Sequence, residues 1–401
     1  EAYRRFITRW QPLNDAVFEL FLKPPNGRSI ASTFAFRKLH DSKKQRTDML
    51  QQLFQSYGRL INDTFEDDRV RGALAWWGAQ SGPPPTDAAS AEFIGWHSLI
   101  HRKGPARPRG GSGMLTQALA AYIRDHGGEV IPNQEVDEIL VEDGRATGVR
   151  TVHGEVWTGK RVISNAHVWV TFLQMLRDWI PGDLRSRVER IHVGNGFGMV
   201  VRAAVDGLPQ YQLNDTSADE MHKGIQLICP TPQYLNDAYA DYLRGEPARD
   251  PAIVAMTFSR IDPTLAPEGK HSLFLWGQYY PYRLRDGQDW DEIATRESEK
   301  LFRVMDRFAP GTSDQLIDQY IQTPKSIAEK HNMPNANVMH VEMVIDQMFM
   351  FRPMPEMSQY ATPLKGLFMA SAGQHPGGGI FGAPGYNCAH EVRKSLRKKL
   401  R

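Results

Sequence analysis

The stretch "GQHPGGGIFGAPGYN", Gly373 to Asn387, limits what this chain can fold into more than any other. It carries six glycines within thirteen residues. They lie between the apolar segment "GLFMASA", Gly366 to Ala372, and "YNCAHEVRKSLRKKL", whose Ala389, Val392 and Leu396 recur at helical spacing. The order strand, glycine-rich turn, helix argues against a flexible linker. Glycines in such a turn let the backbone approach a ligand closely and adopt dihedrals closed to other residues. The helix that follows offers free N–H groups and a positive dipole end, suited to an anion or to the electron-rich edge of a heteroaromatic ring. The functional reading is a cofactor cradle, and the bland alternative is a tight loop that packs a helix and holds nothing.

A chain of 401 residues can bury a large core and is long enough for two or three domains. Lys and Arg number 48 against 46 Asp and Glu, so charge gives no reason to expect a nucleic-acid partner. A small molecule is the expected partner. Cys229 and Cys388 are too few and too far apart for a disulfide framework or a zinc site, which points to the cytoplasm or another reducing compartment. The sequence has no apolar run of transmembrane length, and "EAYRRFITRW" has no signal-peptide core. Peripheral membrane attachment stays open, because the basic end "RKSLRKKLR" could touch anionic lipid, although a solvated helix end explains it too.

Residues 1–100 read as helical. In "DMLQQLFQSYGRLINDTF" the residues Met49, Leu50, Leu53, Phe54, Tyr57, Leu60, Ile61 and Phe65 recur every three or four positions, and "SGPPPT" at Ser81–Thr86 breaks the pattern. Residues 101–170 change character. Ser112 is placed to cap a helix with Leu115, Leu119 and Ile123 on one face, Gly127–Gly128 ends it, and "EVI" begins a short strand. "VDEILVEDGRATGVRTV" predicts a hairpin turning at Asp143–Gly144, and "GEVWTGKRVISNA" a further strand pair. This order suits one part of an α/β nucleotide-binding domain. Residues 171–362 read as α+β, with strands in "FGMVVRAAV", "AIVAMTFS" and "HSLFLWGQYY" and an amphipathic helix through "DWDEIATRESEKLFRVMDRF". Residues 363–401 return to the α/β style.

"HPGGG" followed by "GAPG" resembles the C-terminal flavin-binding signature of the phytoene desaturase family of FAD-dependent oxidoreductases. "GGSGMLTQALAAYIRDHGGEV" with "VDEILVEDGRATGV" and "VISNA" is similar to that family's central FAD-domain segment. "LFQSYGRLINDTFEDDRVRGALAWWG" resembles the branch of pyridine nucleotide-disulfide oxidoreductase domain-containing protein 2. The resemblance implies an α/β fold: a glutathione-reductase-like FAD/NAD(P)-binding domain with an α+β substrate domain. It also implies FAD as cofactor. Gly378, Gly379 and Ile380 would present backbone N–H groups to the isoalloxazine, with Gly373, His375 and Pro376 shaping the ring and ribityl contacts. Val136 would hold the adenine edge, and Asn165 and Ala166 would pass beside the adenosine and pyrophosphate.

The family's N-terminal strand, GxGxxG turn and helix has no counterpart in the sequence, so the FAD-binding domain is expected to be incomplete at its N-terminus. The chain would then be a fragment, or rely on a partner polypeptide, or be a shortened homologue in which FAD binding is lost or weak, and an open sheet edge would need covering by a partner or a second copy. Ser371 stands where the family usually has glycine. The implied activity is hydride transfer between flavin and a carbon of an apolar substrate, such as a polyene or lipid-like molecule. The alternatives are a non-catalytic or split subunit and a flavin amine oxidase. Catalytic residues stay unassigned, with His375 the one candidate proton donor. His331, His340 and Glu342 read better as a polar strand face than as metal ligands, so no metal is expected. The aromatic strand "LFLWGQYYPY" fits either a substrate wall or ordinary core.

Overall fold

A computed structural model of the protein describes residues 1–35, 42–104, 106–212, 218–380 and 382–397. The last four residues of the basic C-terminal stretch therefore lie outside the described residues.

The described residues among the first hundred are mainly helical, as expected, but the long apolar period is cut in two. Ser56 caps the helix Tyr57–Thr64 by accepting from the Arg59 N–H at 3.2 Å. The axis changes there, so Tyr57, Leu60, Ile61 and Phe65 reach the core while Leu50 and Phe54 face water. The proline stretch after the helix Asp68–Ala79 is held from beneath, where the hydroxyls of Tyr57 and Tyr279 both donate to the Pro83 carbonyl at 2.8 and 3.0 Å.

Three sheets follow. β1 (Val136–Glu142) and β2 (Arg145–Thr151) form the predicted hairpin, with Asp143 and Gly144 at φ +48° and +69°, as a two-residue turn of this hand requires. β3 (Val156–Thr158) extends this sheet. β4 (Val162–Ser164) does not pair with β3 as expected from the sequence. It runs parallel to β10 (Leu367–Met369), with Ser164 opposite Met369. The third sheet is antiparallel, in the order β6 (Gln226–Ile228), β7 (Ile253–Met256), β8 (His271–Pro281), β5 (Gly196–Val205), β9 (Leu316–Gln322). Its alternate residues feed two cores. Ile253, Ala255, Leu273 and Leu275 pack on the helix Trp290–Asp306, whereas Val254, Phe274 and Trp276 face the N-terminal helices and the helix Pro232–Leu243.

Three further expectations are corrected. The "EVI" segment is exposed, irregular chain, since no described strand lies beside it and a lone strand cannot satisfy its backbone groups. The helix Gly113–Asp125 forms and ends at Gly127, with the Gly128 N–H on the Ile123 carbonyl at 2.9 Å. Ser112 has helical dihedrals and does not cap it, and none of its residues is buried, so Leu115, Leu119 and Ile123 face outward. The helix Ala383–Arg397 buries Ala383, Pro384, Asn387, Cys388 and Val392 in place of the expected Ala389 and Leu396. Both cysteines are free and buried.

Candidate cofactor and substrate site

The parallel pair β4–β10 sets the site. Asn165 and Ala166 leave the carboxyl end of β4, and the glycine-rich loop leaves the same end of β10. In an open α/β sheet that edge is where ligands bind.

Local bonds fix the start of the loop. Ser371 is fully buried; its hydroxyl accepts from the Gly373 N–H at 3.2 Å, and its carbonyl accepts from the Gln374 N–H at 2.9 Å. Serine in place of glycine thus closes a turn through its own side chain. His375 donates from Nε2 to the Leu20 carbonyl at 3.1 Å, and its ring packs against Phe21 and Phe349. Its carbonyl accepts from the Tyr360 hydroxyl at 3.0 Å. Asn387 then donates to that hydroxyl and to the Phe21 carbonyl, both at 2.8 Å. One end of the loop is therefore tied to the first helix, to Tyr360 and to the helix that follows. Burial pushes the His375 imidazole down to about 4, so it stays neutral and its Nε2 proton is committed to holding the loop.

Beyond the His375–Pro376 cis peptide bond, the glycines meet a wall. Gly377 has φ +116°, and a Cβ there would lie 2.9 Å from the Met343 sulfur. A Cβ on Gly378 would lie 2.9 Å from the Met339 sulfur. Gly379 and Ile380 also have positive φ, and Ile380 is 90% exposed. The N–H groups of residues 377–380 have no hydrogen-bond partner among the described residues.

Behind the wall sits Arg352, which no sequence pattern singled out. It is fully buried and its guanidinium donates to five carbonyls, those of Met339, Val341, Glu342, Gln347 and Ala372, at 2.7 to 3.4 Å. It thereby pins the 339–347 loop to the cradle. Burial, and to a lesser degree the Arg352 charge, hold His167 and His340 neutral, each down to about 4. His167 accepts from the Trp169 N–H and donates to the His340 carbonyl at 2.8 Å. Several buried atoms here lack partners: both amide atoms of Gln374, Arg352 Nε and His340 Nδ1. Val136 lies apart, in the β1–β3 sheet at the hairpin end away from the turn, next to Gln134, whose buried Oε1 is also unpartnered.

These observations test the fit of a flavin. A loop with unpaired N–H groups, glycines at positive φ packed against methionine side chains, and buried polar atoms without partners suit a flat, polar heteroaromatic group. His331 ends the helix Pro324–His331, and among the described residues no group of three or more His, Cys, Asp and Glu could hold a metal ion.

On its far side Met343 lines a small, partly open cleft. Asp87 from the proline loop, Phe197 at the start of β5, Tyr239 and Tyr242 from the helix Pro232–Leu243, Tyr279 from β8 and Glu342 form its walls. The tyrosine rings pack with centroids 5.0 to 6.1 Å apart. Part of the aromatic strand is thus wall, while Tyr280 and Leu275 are core.

Comparison with known proteins agrees with this geometry. The family model of flavin-containing amine oxidoreductases matches residues 12–206. Pyridine nucleotide-disulfide oxidoreductase domain-containing protein 2 of Rattus norvegicus is 33% identical over 99% of this chain and 72% of its own length. The neurosporene-forming phytoene desaturase of Cereibacter sphaeroides is 27% identical over 96% of this chain and 73% of its own. The solved oxidoreductase of Methanosarcina mazei shares the fold at a TM-score of 0.58, with 17% identity over 89% of this chain and 74% of that one. With near-complete coverage of the chain and a cradle that fits a flavin, the protein belongs to the FAD-dependent oxidoreductase family that includes pyridine nucleotide-disulfide oxidoreductase domain-containing protein 2 and the phytoene desaturases.

Proposed function

We propose that the protein moves a hydride between bound FAD and a carbon of a largely apolar, unsaturated substrate, polyene or lipid-like in character. The observation that carries this reading is the shared wall: Met343 backs Gly377 on one side and lines the aromatic cleft on the other. FAD bound along the glycine loop supplies the two-electron acceptor. The chain's own part is positional. The N–H groups of Gly378, Gly379 and Ile380 would face the ring, with Gly373, His375 and Pro376 holding the loop's course, Asn165 and Ala166 would run beside the adenosine and pyrophosphate, and Val136 would meet the adenine edge. The aromatic walls exclude water from the reacting carbon.

The test is an anaerobic titration of the FAD-loaded protein with unsaturated lipids and polyenes, following bleaching of the flavin bands. Bleaching with a stoichiometric desaturated product supports the reading. A protein that holds FAD, is reduced by dithionite, and is untouched by every such substrate overturns it.

A second reading has its own observation. The helix Gly113–Asp125 buries none of its residues although Met114, Leu115, Leu119, Tyr122 and Ile123 are apolar. A surface of this kind favours a covering unit, either a second copy or a partner that supplies further dinucleotide-binding elements. The peripheral membrane role and a reducing compartment remain part of the proposal. No described helix is long and apolar enough to cross a membrane.

A further inference from the structure

The cleft beside Met343 is aromatic, yet its charge is one-sided. Two carboxylates, Asp87 and Glu342, line it, and among the described residues no Lys or Arg does. Glu342 pairs with His192 at 2.8 Å, and that imidazole is 73% exposed. The Asp87 carboxylate has no hydrogen bond or ion pair among the described residues. Burial pushes the Glu342 carboxyl up, and the neighbouring charges of Asp87 and Asp346 add to that push against the opposing pull of His192. Burial raises the phenols of Tyr239 and Tyr242, and the charges of Asp87 and Glu342 add to the push on Tyr239, as that of Glu342 does on Tyr242. Two like charges in a half-enclosed cleft cost free energy unless one takes up a proton or a cation joins them.

The walls say what kind of cation. The rings of Tyr239, Tyr242 and Tyr279 meet in stacked and edge-on pairs, and ring faces attract alkylammonium groups by about 0.5–2 kcal/mol each. Hard metal ions want six or more oxygen ligands, which two carboxylates and a tyrosine corner do not provide. The Tyr242 hydroxyl accepts from the Asn195 N–H at 3.0 Å, so its proton is free for a polar neighbour of the cation.

We propose that this cleft binds an organic cation, an alkylammonium or quaternary ammonium group carried at one end of an otherwise apolar substrate, between the Asp87 and Glu342 carboxylates and the tyrosine corner. The proposal rests on the flavin reading for the role of the cleft and on the cleft's own residues for the ligand class. It makes the substrate an amphiphile whose charged end is anchored and whose carbon chain passes Met343 toward the cradle.

The experiment is a calorimetric comparison of choline with its neutral isostere 3,3-dimethylbutan-1-ol, on the protein as purified, with its flavin absorbance recorded on the same sample. The expected result is at least tenfold tighter binding of the cation. The double variant Asp87→Asn with Glu342→Gln should lose that tenfold preference while keeping its melting temperature, and Tyr239→Leu should weaken the cation alone. Equal binding of both probes, binding of neither, or a preference that survives the double variant overturns the proposal. Cation binding in a protein whose flavin no unsaturated substrate reduces leaves this site standing and removes the hydride-transfer reading, so the two failures are separable.

Discussion

Gly377 shows at the residue scale how the site is built. Its φ of +116° is a conformation that side chains rarely adopt, and the Met343 sulfur occupies the space a Cβ would need. Gly377→Ala should cost about 1–3 kcal/mol from backbone strain and displaced packing. The displaced Met343 would also loosen the wall between cradle and cleft. Urea unfolding with FAD present, and flavin fluorescence in the filtrate, would show lower stability together with released flavin. Lower stability without flavin release would mean that the loop is only a packing device. The three buried imidazoles set the pH response. His167 and His340 face each other and Arg352, and His375 faces Arg352; all three are held down to about 4, against about 6.5 in an unfolded chain. The unfolded chain therefore takes up protons between pH 6.5 and 4 that the folded chain refuses. The stability they contribute is fully present above pH 6.5 and is lost as pH falls toward 4. Urea midpoints across that range should fall steadily, and His375→Gln should reduce the slope. A slope unchanged by that variant would mean that His375 titrates normally in the folded protein.

At the scale of elements, β10, the glycine loop and the helix Ala383–Arg397 act as one tied unit, and the knot is Tyr360. Its hydroxyl donates to the His375 carbonyl and accepts from Asn387, which also reaches the first helix. Tyr360→Phe should leave two buried polar groups short of a partner and cost about 1–3 kcal/mol. Far-UV dichroism should stay unchanged while the melting temperature drops; no drop would mean that water replaces the hydroxyl. This unit also shows what could be read in the sequence. The order strand, glycine loop, helix was plain, because a short apolar run, clustered glycines and a 3.6-residue period are local signals. The Asp143–Gly144 turn was legible for the same reason. The helix's inward face was not, because burial there follows the polar Asn387, which is inside only through its bonds to Tyr360 and Phe21. Arg352 and Gln374 escaped notice on the same ground: a buried polar residue is specified by distant carbonyls and by a ligand, not by its neighbours in sequence. The pairing of β4 with β10 was missed because parallel partners come from remote segments, whereas the eye joins β4 to the nearer β3.

Considered as a whole molecule, the protein has well-filled cores on both faces of its five-stranded sheet and a third beneath β1, β4 and β10, yet it leaves one amphipathic helix without cover. Leu119, at the centre of Gly113–Asp125, is 57% exposed, and its apolar neighbours Tyr122 and Ile123 are exposed with it. Surface substitutions away from buried features usually change stability by no more than about 0.5 kcal/mol. Leu119→Lys in the 401-residue chain should therefore be nearly neutral, whereas Leu60→Ala, in the N-terminal core, should cost about 2–5 kcal/mol. The two numbers decide what the helix is for. A neutral Leu119→Lys that also lowers binding of a hydrophobic dye, and abolishes any self-association seen by sedimentation, identifies this face as a surface made for another body. A cost above about 2 kcal/mol that grows with protein concentration means that copies of the chain already cover the face in solution, because stability is then linked to assembly by mass action. The same cost independent of concentration would place the helix against the rest of the chain, and the open-face reading would fall.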